Sequence, residues 1–250
     1  MFSSTDYSHY AGLKQDGQLL KFRPEGADHL IEPFRHPDPD DMYQVIYLGL
    51  YQIAYNTNKI GAADAPRSWK DLTDPKWHGQ IAIGHPGYSG AIGLLCIELM
   101  SLYGDGFLAA LEKTKPQIDR SSNDPVTLLN AGERSIGMGV PQAGVLLSRS
   151  RGNPLDLVYP AEGVLGVSAL SAIMKTAPHP NAARLFTSFA MTPAYGRVLL
   201  PFFEYPLRPE VKPPEGARPV DQIKLISPTI AEAVERIDDV KERWRDVFGV

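Results

Sequence analysis

Cysteine is nearly absent. Cys96 stands alone in 250 residues, so no internal disulfide can form. Its neighbours Ile92, Leu95 and Leu99 place it on an apolar helix face, where a thiol behaves as a small hydrophobe. It does not decide the compartment. Long apolar runs are lacking too, since no stretch approaches the roughly 18–20 residues that a bilayer-spanning helix needs. There is no run of Lys or Arg, and the formal net charge of −4 provides no electrostatic footprint for nucleic acid or an anionic membrane surface. Both are set aside as partners. The six histidines include no H-x-x-x-H pair and no carboxylate–histidine cluster at ligand spacing, so no metal and no cofactor are expected. The opening MFSSTDYSHYAGLKQ has neither the basic region nor the apolar core of a secretory signal. No repeat at a solenoid period occurs.

What is present is enough for packed cores: 43% of the residues are apolar, and 22 Pro and 22 Gly are spread as turn punctuation. Tyr10, Leu13 and Leu20 at helical spacing, with Asp6 as cap, predict a helix within 6–20. YQVIYLGLYQIAYN (43–56) predicts one or two core strands. SWKDLTDPKWHGQIAIGHP predicts a short helix, a turn at Asp74-Pro75 and a strand. Helices are expected from Ser89 to about Leu102, from Asp105 to Lys113, from Pro125 to Gly132 and over QAGVLLSRSRG. Strands are expected in QIDRSS, SIGMGV (135–140) and LDLVYPAEG, and a strand pair in 164–176. Two helices with proline in their first turns follow. Ser227-Pro228 is expected to cap a final amphipathic helix bearing Ile230, Val234, Ile237, Val240, Trp244 and Val247 on one face. Alternating strands and helices predict an α/β fold with crossover connections.

Five segments occur in register: YNTNKI (55–60), SWKDLTDPKWHGQIAIGHPGYSG (68–90), NAGE (130–133), MKTAPHPNAARLFTSFAMTPAYGRVL (174–199) and EYPLRPEV (204–211). By these the chain resembles the substrate-binding proteins of ABC importers with the type 2 periplasmic-binding fold, in the branch around the bacterial ferric-ion-binding proteins. The resemblance implies two α/β lobes, each a mixed sheet flanked by helices, joined by crossing strands at 45–55 and 164–172, with solute in the interlobe cleft. It implies residues 1–52 with 166–208 as lobe 1, 53–165 as lobe 2, and 209–250 as a C-terminal helical segment packing back across the lobes. Elements on the order of 50 residues that family members carry ahead of Ser3 are missing here, by the usual domain dimensions. A late start codon or a truncated chain is expected to account for them and for the signal peptide, which leaves the protein periplasmic or facing the exterior.

The same resemblance assigns a site. Ferric-binding relatives hold metal with a Tyr pair, a His and a Glu, and hold an anion at a helix N-terminus. Here the Tyr pair falls at about Gln142-Ala143 and the Glu at about Thr5, which disfavours direct Fe(III) coordination because neutral groups do not repay the desolvation of a trivalent ion. The anion half matches Ser89, Gly90 and Ala91, where helix amides and dipole favour negative charge, with Asn123 and Asp124 beside it. Ser3, Ser4, Thr5 and Asp6 would add hydroxyl donors, Gln142 an amide, and Tyr88 an aromatic wall. The expected solute is a small carboxylate, phosphonate or phosphate ester, the expected partner a membrane permease, and the protein is expected to be a monomer and not an enzyme.

Each residue also has a structural reading. Ser89, Ser3–Asp6 and Asn123-Asp124-Pro125 read equally as helix caps and turns, His85 as a turn residue, Arg120 as solvated or ion-paired, Arg208 as a structural ion pair and Tyr205 as packing. Three other functions stay open: a ferric-ion carrier, a sensory domain, and a hydrolase built from Ser89, His85 and Asp124, although the G-x-S-x-G elbow is missing.

Overall fold

A computed structural model describes residues 1–250. In chain order its elements are β1 (Phe2–Ser4), α1 (Ser8–Gln15), β2 (Tyr43–Asn56), β3 (Ile81–Gly84), α2 (Gly90–Tyr103), α3 (Gly106–Glu112), β4 (Gln117–Asp119), α4 (Asp124–Ala131), β5 (Ile136–Pro141), α5 (Gln142–Ser150), β6 (Leu155–Val158), β7 (Val164–Ala172), α6 (Pro180–Ala190), α7 (Pro193–Leu199), β8 (Leu225–Ile226) and α8 (Ile230–Phe248). They fall into two compact units, residues 1–49 with 167–220 and residues 50–166 with 221–250. The chain passes from one to the other inside β2 and inside β7. The C-terminal segment divides at 220/221, and α8 belongs wholly to unit 2.

Unit 1 is pinned by tyrosines. β1 pairs antiparallel with β7, Phe2 opposite Ala172. The buried Tyr10 of α1 donates its hydroxyl to the Leu170 carbonyl at 2.5 Å and accepts the Ser4 amide at 2.8 Å. Tyr7 accepts the Ser168 amide at 2.8 Å. Apolar rings with a polar tip thus fasten a short helix to a strand end.

Unit 2 is built on the strand order β6-β2-β5-β3-β4. β4, β3 and β5 run parallel, with Ile83 opposite both Ile118 and Met138. IAIG of β3 is buried throughout, as a strand covered on both faces must be. α2 is apolar but for Glu98 and Ser101 and buries nine of its residues, including Cys96, so it is a core helix. Burial pushes the Cys96 thiol up to about 12, which keeps it protonated and inert. No single helix is long and apolar enough to cross a membrane. α8 lies on α2 and α3: the Arg243 guanidinium meets Asp105 at 2.8 Å, and Trp244 packs edge-on against His85 at 5.8 Å.

The structure corrects several expected details. Residues 164–176 hold one strand rather than two, with Met174 making a single bridge to Leu19. The cap of α8 is Thr229, whose hydroxyl accepts the Glu232 amide while the Glu232 carboxylate accepts the Thr229 amide. That T-x-x-E box satisfies two terminal donors at once, which Ser227 cannot do. The buried stripe of α8 is Ala233, Ile237, Val240 and Trp244, and Val234 is exposed. The short helix expected after Ser68 is a 3-10 helix, Lys70–Thr73, and the turn at Asp74-Pro75 opens a second one, Pro75–Trp77.

One glycine sets the strand register near the end of β5. Gln52 faces Val140, but Ala54 faces Gly137, so β5 holds one extra residue. Gly139 supplies it with φ +65°, the left-handed conformation of such bulges. A Cβ there would lie 2.7 Å from Leu95 Cδ2 and 2.9 Å from Ile92 Cδ1. Gly139→Ala is therefore expected to cost about 2 kcal/mol from backbone strain and crowding, lowering Tm by about 4–8 °C; a calorimetric shift under 1 °C would contradict this account.

In unit 1, the half-buried Glu204 carboxyl has no hydrogen-bond partner. Burial raises its pKa to about 7, and its charge contributes to raising Tyr47 and Tyr195 nearby. Because the folded value exceeds the unfolded one, the fold favours the neutral acid, and stability falls as pH rises from about 4.5 to 7. Urea unfolding over that range is expected to give a shallower decline for Glu204→Gln than for the natural protein; parallel declines would refute it.

Candidate functional site

The C-terminal ends of β3, β4 and β5 all point to one edge of the unit 2 sheet, where α/β proteins place ligands. Three connections emerge there: 85–89 before α2, 120–123 before α4, and the junction Pro141-Gln142 into α5. Gly84 brings the first two together. A Cβ at this position would stand 3.0 Å from the Ser122 amide nitrogen and 3.1 Å from the Ser121 carbonyl carbon.

The first connection ends in a helix tip with spare donors. His85 accepts the Gly87 amide on Nδ1 at 2.9 Å, and its carbonyl accepts the amides of Tyr88 and Ser89 at 3.1 and 3.0 Å. Ser89, with extended backbone, is the N-cap of α2, but its side chain caps nothing. Its carbonyl takes the Ile92 and Gly93 amides, each at 3.1 Å. The amides of Gly90 and Ala91 have no acceptor within the chain. Two backbone donors and a hydroxyl are thus left over at the positive end of a 14-residue helix. Ser89 and Gly90 are half-buried and Tyr88 is 65% exposed, so solvent reaches the tip.

The second connection supplies charge. The Arg120 guanidinium lies 4.6 Å over the Tyr88 ring, a cation–π contact that holds it beside the tip. It makes no ion pair. Arg120 is exposed, in keeping with its reading as a solvated arginine, and the ring contact is added to that. No local signal foretold this, because it depends on where every acid of the fold ends up. Asn123 is the N-cap of α4 without a side-chain cap bond, and it lines a groove of about 230 Å³ between α4 and α5 with Thr127, Asn130 and Arg151. Asp124 is occupied, its Oδ2 accepting the Ser121 amide at 2.8 Å.

Gln142 reaches the same edge, but its side chain is turned inward. It is 1% exposed, and its Oε1 accepts Gln52 Nε2 at 2.7 Å and the Tyr159 hydroxyl at 3.4 Å. In unit 1, most of the candidate loop is committed locally. The Ser3 hydroxyl donates to the Leu170 carbonyl at 2.8 Å. Ser4 Oγ accepts the Asp6 amide at 3.0 Å and meets His9 Nδ1 at 2.9 Å. Asp6 Oδ1 accepts the Ser8 amide and hydroxyl at 3.0 and 2.6 Å. The half-buried Thr5 hydroxyl has no such partner. Tyr205 is buried, donating to the Arg218 carbonyl at 2.6 Å, and Arg208 pairs with Glu210 at 2.7 Å.

Ser89, His85 and Asp124 do not assemble as a nucleophilic trio. The His85 nitrogen and the Asp124 oxygen that such a relay would use are bonded to the Gly87 and Ser121 amides, and neither side chain bonds Ser89. No group of three or more His, Cys, Asp or Glu side chains is placed to hold a metal ion.

Residues 6–224 match the family described as bacterial extracellular solute-binding protein. The spermidine/putrescine-binding periplasmic protein of Escherichia coli is 26% identical over 228 residues, 86% of this chain and 60% of its own length. The periplasmic binding protein AfuA from Actinobacillus pleuropneumoniae, solved with exogenous fructose-6-phosphate bound, superposes with a TM-score of 0.87 at 22% identity, covering 100% of this chain and 82% of AfuA. Iron-bound HitA from Pseudomonas aeruginosa gives 0.83 at 23% identity, covering 98% and 81%. The chain spans 53% and 60% of the length of the first two curated relatives it matches. Likeness to solved structures at such identity establishes the fold, a mixed α/β architecture of the type 2 periplasmic-binding class. By a match that runs through nearly the whole chain, this protein belongs to the bacterial extracellular solute-binding proteins.

Proposed function

We propose that this protein is the solute-binding component of an ABC importer, that it works on the periplasmic or outer side of the membrane, and that it delivers a small anionic solute to a permease. The solute is a carboxylate, phosphonate or phosphate ester. One observation carries the reading: the amides of Gly90 and Ala91 and the Ser89 hydroxyl are unspent beside the uncompensated Arg120 guanidinium, held by Tyr88. Donors of this kind form charge-assisted bonds to an anion. A polyamine needs the opposite, a set of carboxylates. Of the two acids at this edge, Asp124 is occupied by a backbone amide, and Asp119 lies 3.4 Å from Gln117 Nε2. Asn123 adds an amide.

Proline at the first helical position is compatible with α-helix and only removes the N–H, and the extended backbone of Ser89 suits a residue before proline. Gly90→Pro therefore deletes one donor while sparing the fold. Isothermal titration with phosphate esters and carboxylates is expected to show about a 10–100-fold loss of affinity, the worth of a bond to a charged group, with Tm of the free protein within about 2 °C of the natural one. The same panel should contain spermidine, putrescine and ferric chloride. Binding of a polyamine or of ferric ion, with no response to any anion, would overturn the reading.

A further inference from the structure

The groove of about 230 Å³ between α4 and α5 touches the sheet edge only at its near end, through Asn123. Helical spacing builds it. On α4 and its cap, Asn123, Thr127 and Asn130 stand at i, i+4 and i+7, and on α5 and its cap Gly144, Ser148 and Arg151 are spaced likewise, so each helix turns one stripe to the groove. Facing stripes of packed helices are ordinarily apolar, yet here Val126 and Leu147 are the only large apolar residues of the lining, and none of the lining residues is acidic. The far end is a fixed polar cluster. Ser148, 5% exposed, donates its hydroxyl to Asn130 Oδ1 at 2.6 Å, and its carbonyl accepts Asn153 Nδ2 at 3.2 Å. Both amides are thereby oriented, and each keeps one group unspent: Asn130 its Nδ2 donor and Asn153 its Oδ1 acceptor. The Arg151 guanidinium beside them makes no ion pair or hydrogen bond within the chain, whereas Arg149 pairs with Asp156 at 2.9 Å. A cation, an amide donor and an amide acceptor at one end of a groove match a carboxylate whose neighbouring carbon bears an N–H, the group that ends a peptide.

We propose that the α4–α5 groove is a separate binding site for the C-terminal end of a short free peptide. The carboxylate pairs with Arg151 and accepts from Asn130 Nδ2, bonds that charge makes strong. The N–H of the last residue donates to Asn153 Oδ1, and its side chain rests on Val126 and Leu147. From Asn130 back to Asn123 the helix rises about 10 Å, the length of about three extended residues, with the exposed Thr127 hydroxyl along the way. The volume lies below the roughly 300 Å³ at which drug-sized sites begin, which limits the ligand to two or three residues with small side chains. This site uses neither the α2 amides nor Arg120, so it stands or falls apart from the anionic-solute reading.

The test compares N-acetyl-alanyl-alanine with its C-terminal amide, each titrated at fixed ionic strength into isotopically labelled protein and followed by amide NMR. The acid is expected to shift the Thr127, Asn130, Ser148 and Arg151 resonances saturably, and the uncharged amide to bind at least about tenfold more weakly, the worth of a bond to a charged group. Arg151→Gln should weaken the acid to the level of the amide, while Arg149→Gln changes its affinity by less than about twofold. Both side chains are exposed, so neither change threatens the fold. Equal affinities of acid and amide overturn the proposal, as does the lack of any saturable shift in the groove. Equal losses from the two arginine variants overturn it by showing attraction to charge without a site. Shifts confined to Gly90 and Ala91 would put the carboxylate at the helix tip instead, and overturn it too.

Discussion

The anionic-solute reading depends on a shortage of acceptors at one helix start. The first amides of an α-helix have no intrahelical acceptor, and those of Gly90 and Ala91 find none elsewhere in the chain. In most helices a serine in the place of Ser89 would bend its hydroxyl onto one of these donors. Here it does not, and its carbonyl serves the next two amides instead. The tip is a concentration of partial positive charge with one open side. Arg120, held at 4.6 Å over Tyr88, adds a full charge to the same edge.

Much of unit 2 acts to hold that edge still. Gly84 lets the loop before α4 approach the end of β3. Gly139 adds the extra residue that sets where β5 ends and Gln142 begins. Behind the tip, α8 packs along α2 and places Trp244 against His85, whose ring in turn accepts the Gly87 amide and lies 5.1 Å from Tyr88. A receptor made of backbone dipoles is only as well aimed as the strand and helix ends that carry it, so rigid support of this kind is what preorganises binding.

The sequence was informative where one residue decides one local feature. The buried strand 81–84, the turn at Pro86-Gly87 and the helix opening at Ser89 follow from apolar patterning and punctuation, and the structure places them within a residue or so of expectation. Caps were harder, because Ser227 and Thr229 are both good cap residues and the Glu232 partner three positions after Thr229 decides between them. The inward turn of Gln142 was not legible, since it depends on Gln52, ninety positions away. Nor was the isolation of Arg120, which is a statement about the placement of all the acids at once. Ser4 and Asp6 show the converse: hydroxyl and carboxylate groups that invite a binding role are consumed by turns within four residues of themselves.

The claim that the α2 tip is the anion receptor is tested most directly by amide NMR. On titration of isotopically labelled protein with a phosphate ester, the Gly90 and Ala91 N–H resonances are predicted to show the largest downfield proton shifts in unit 2, saturating together with the binding isotherm. Saturable binding that leaves those two resonances in place while amides elsewhere move would contradict the account.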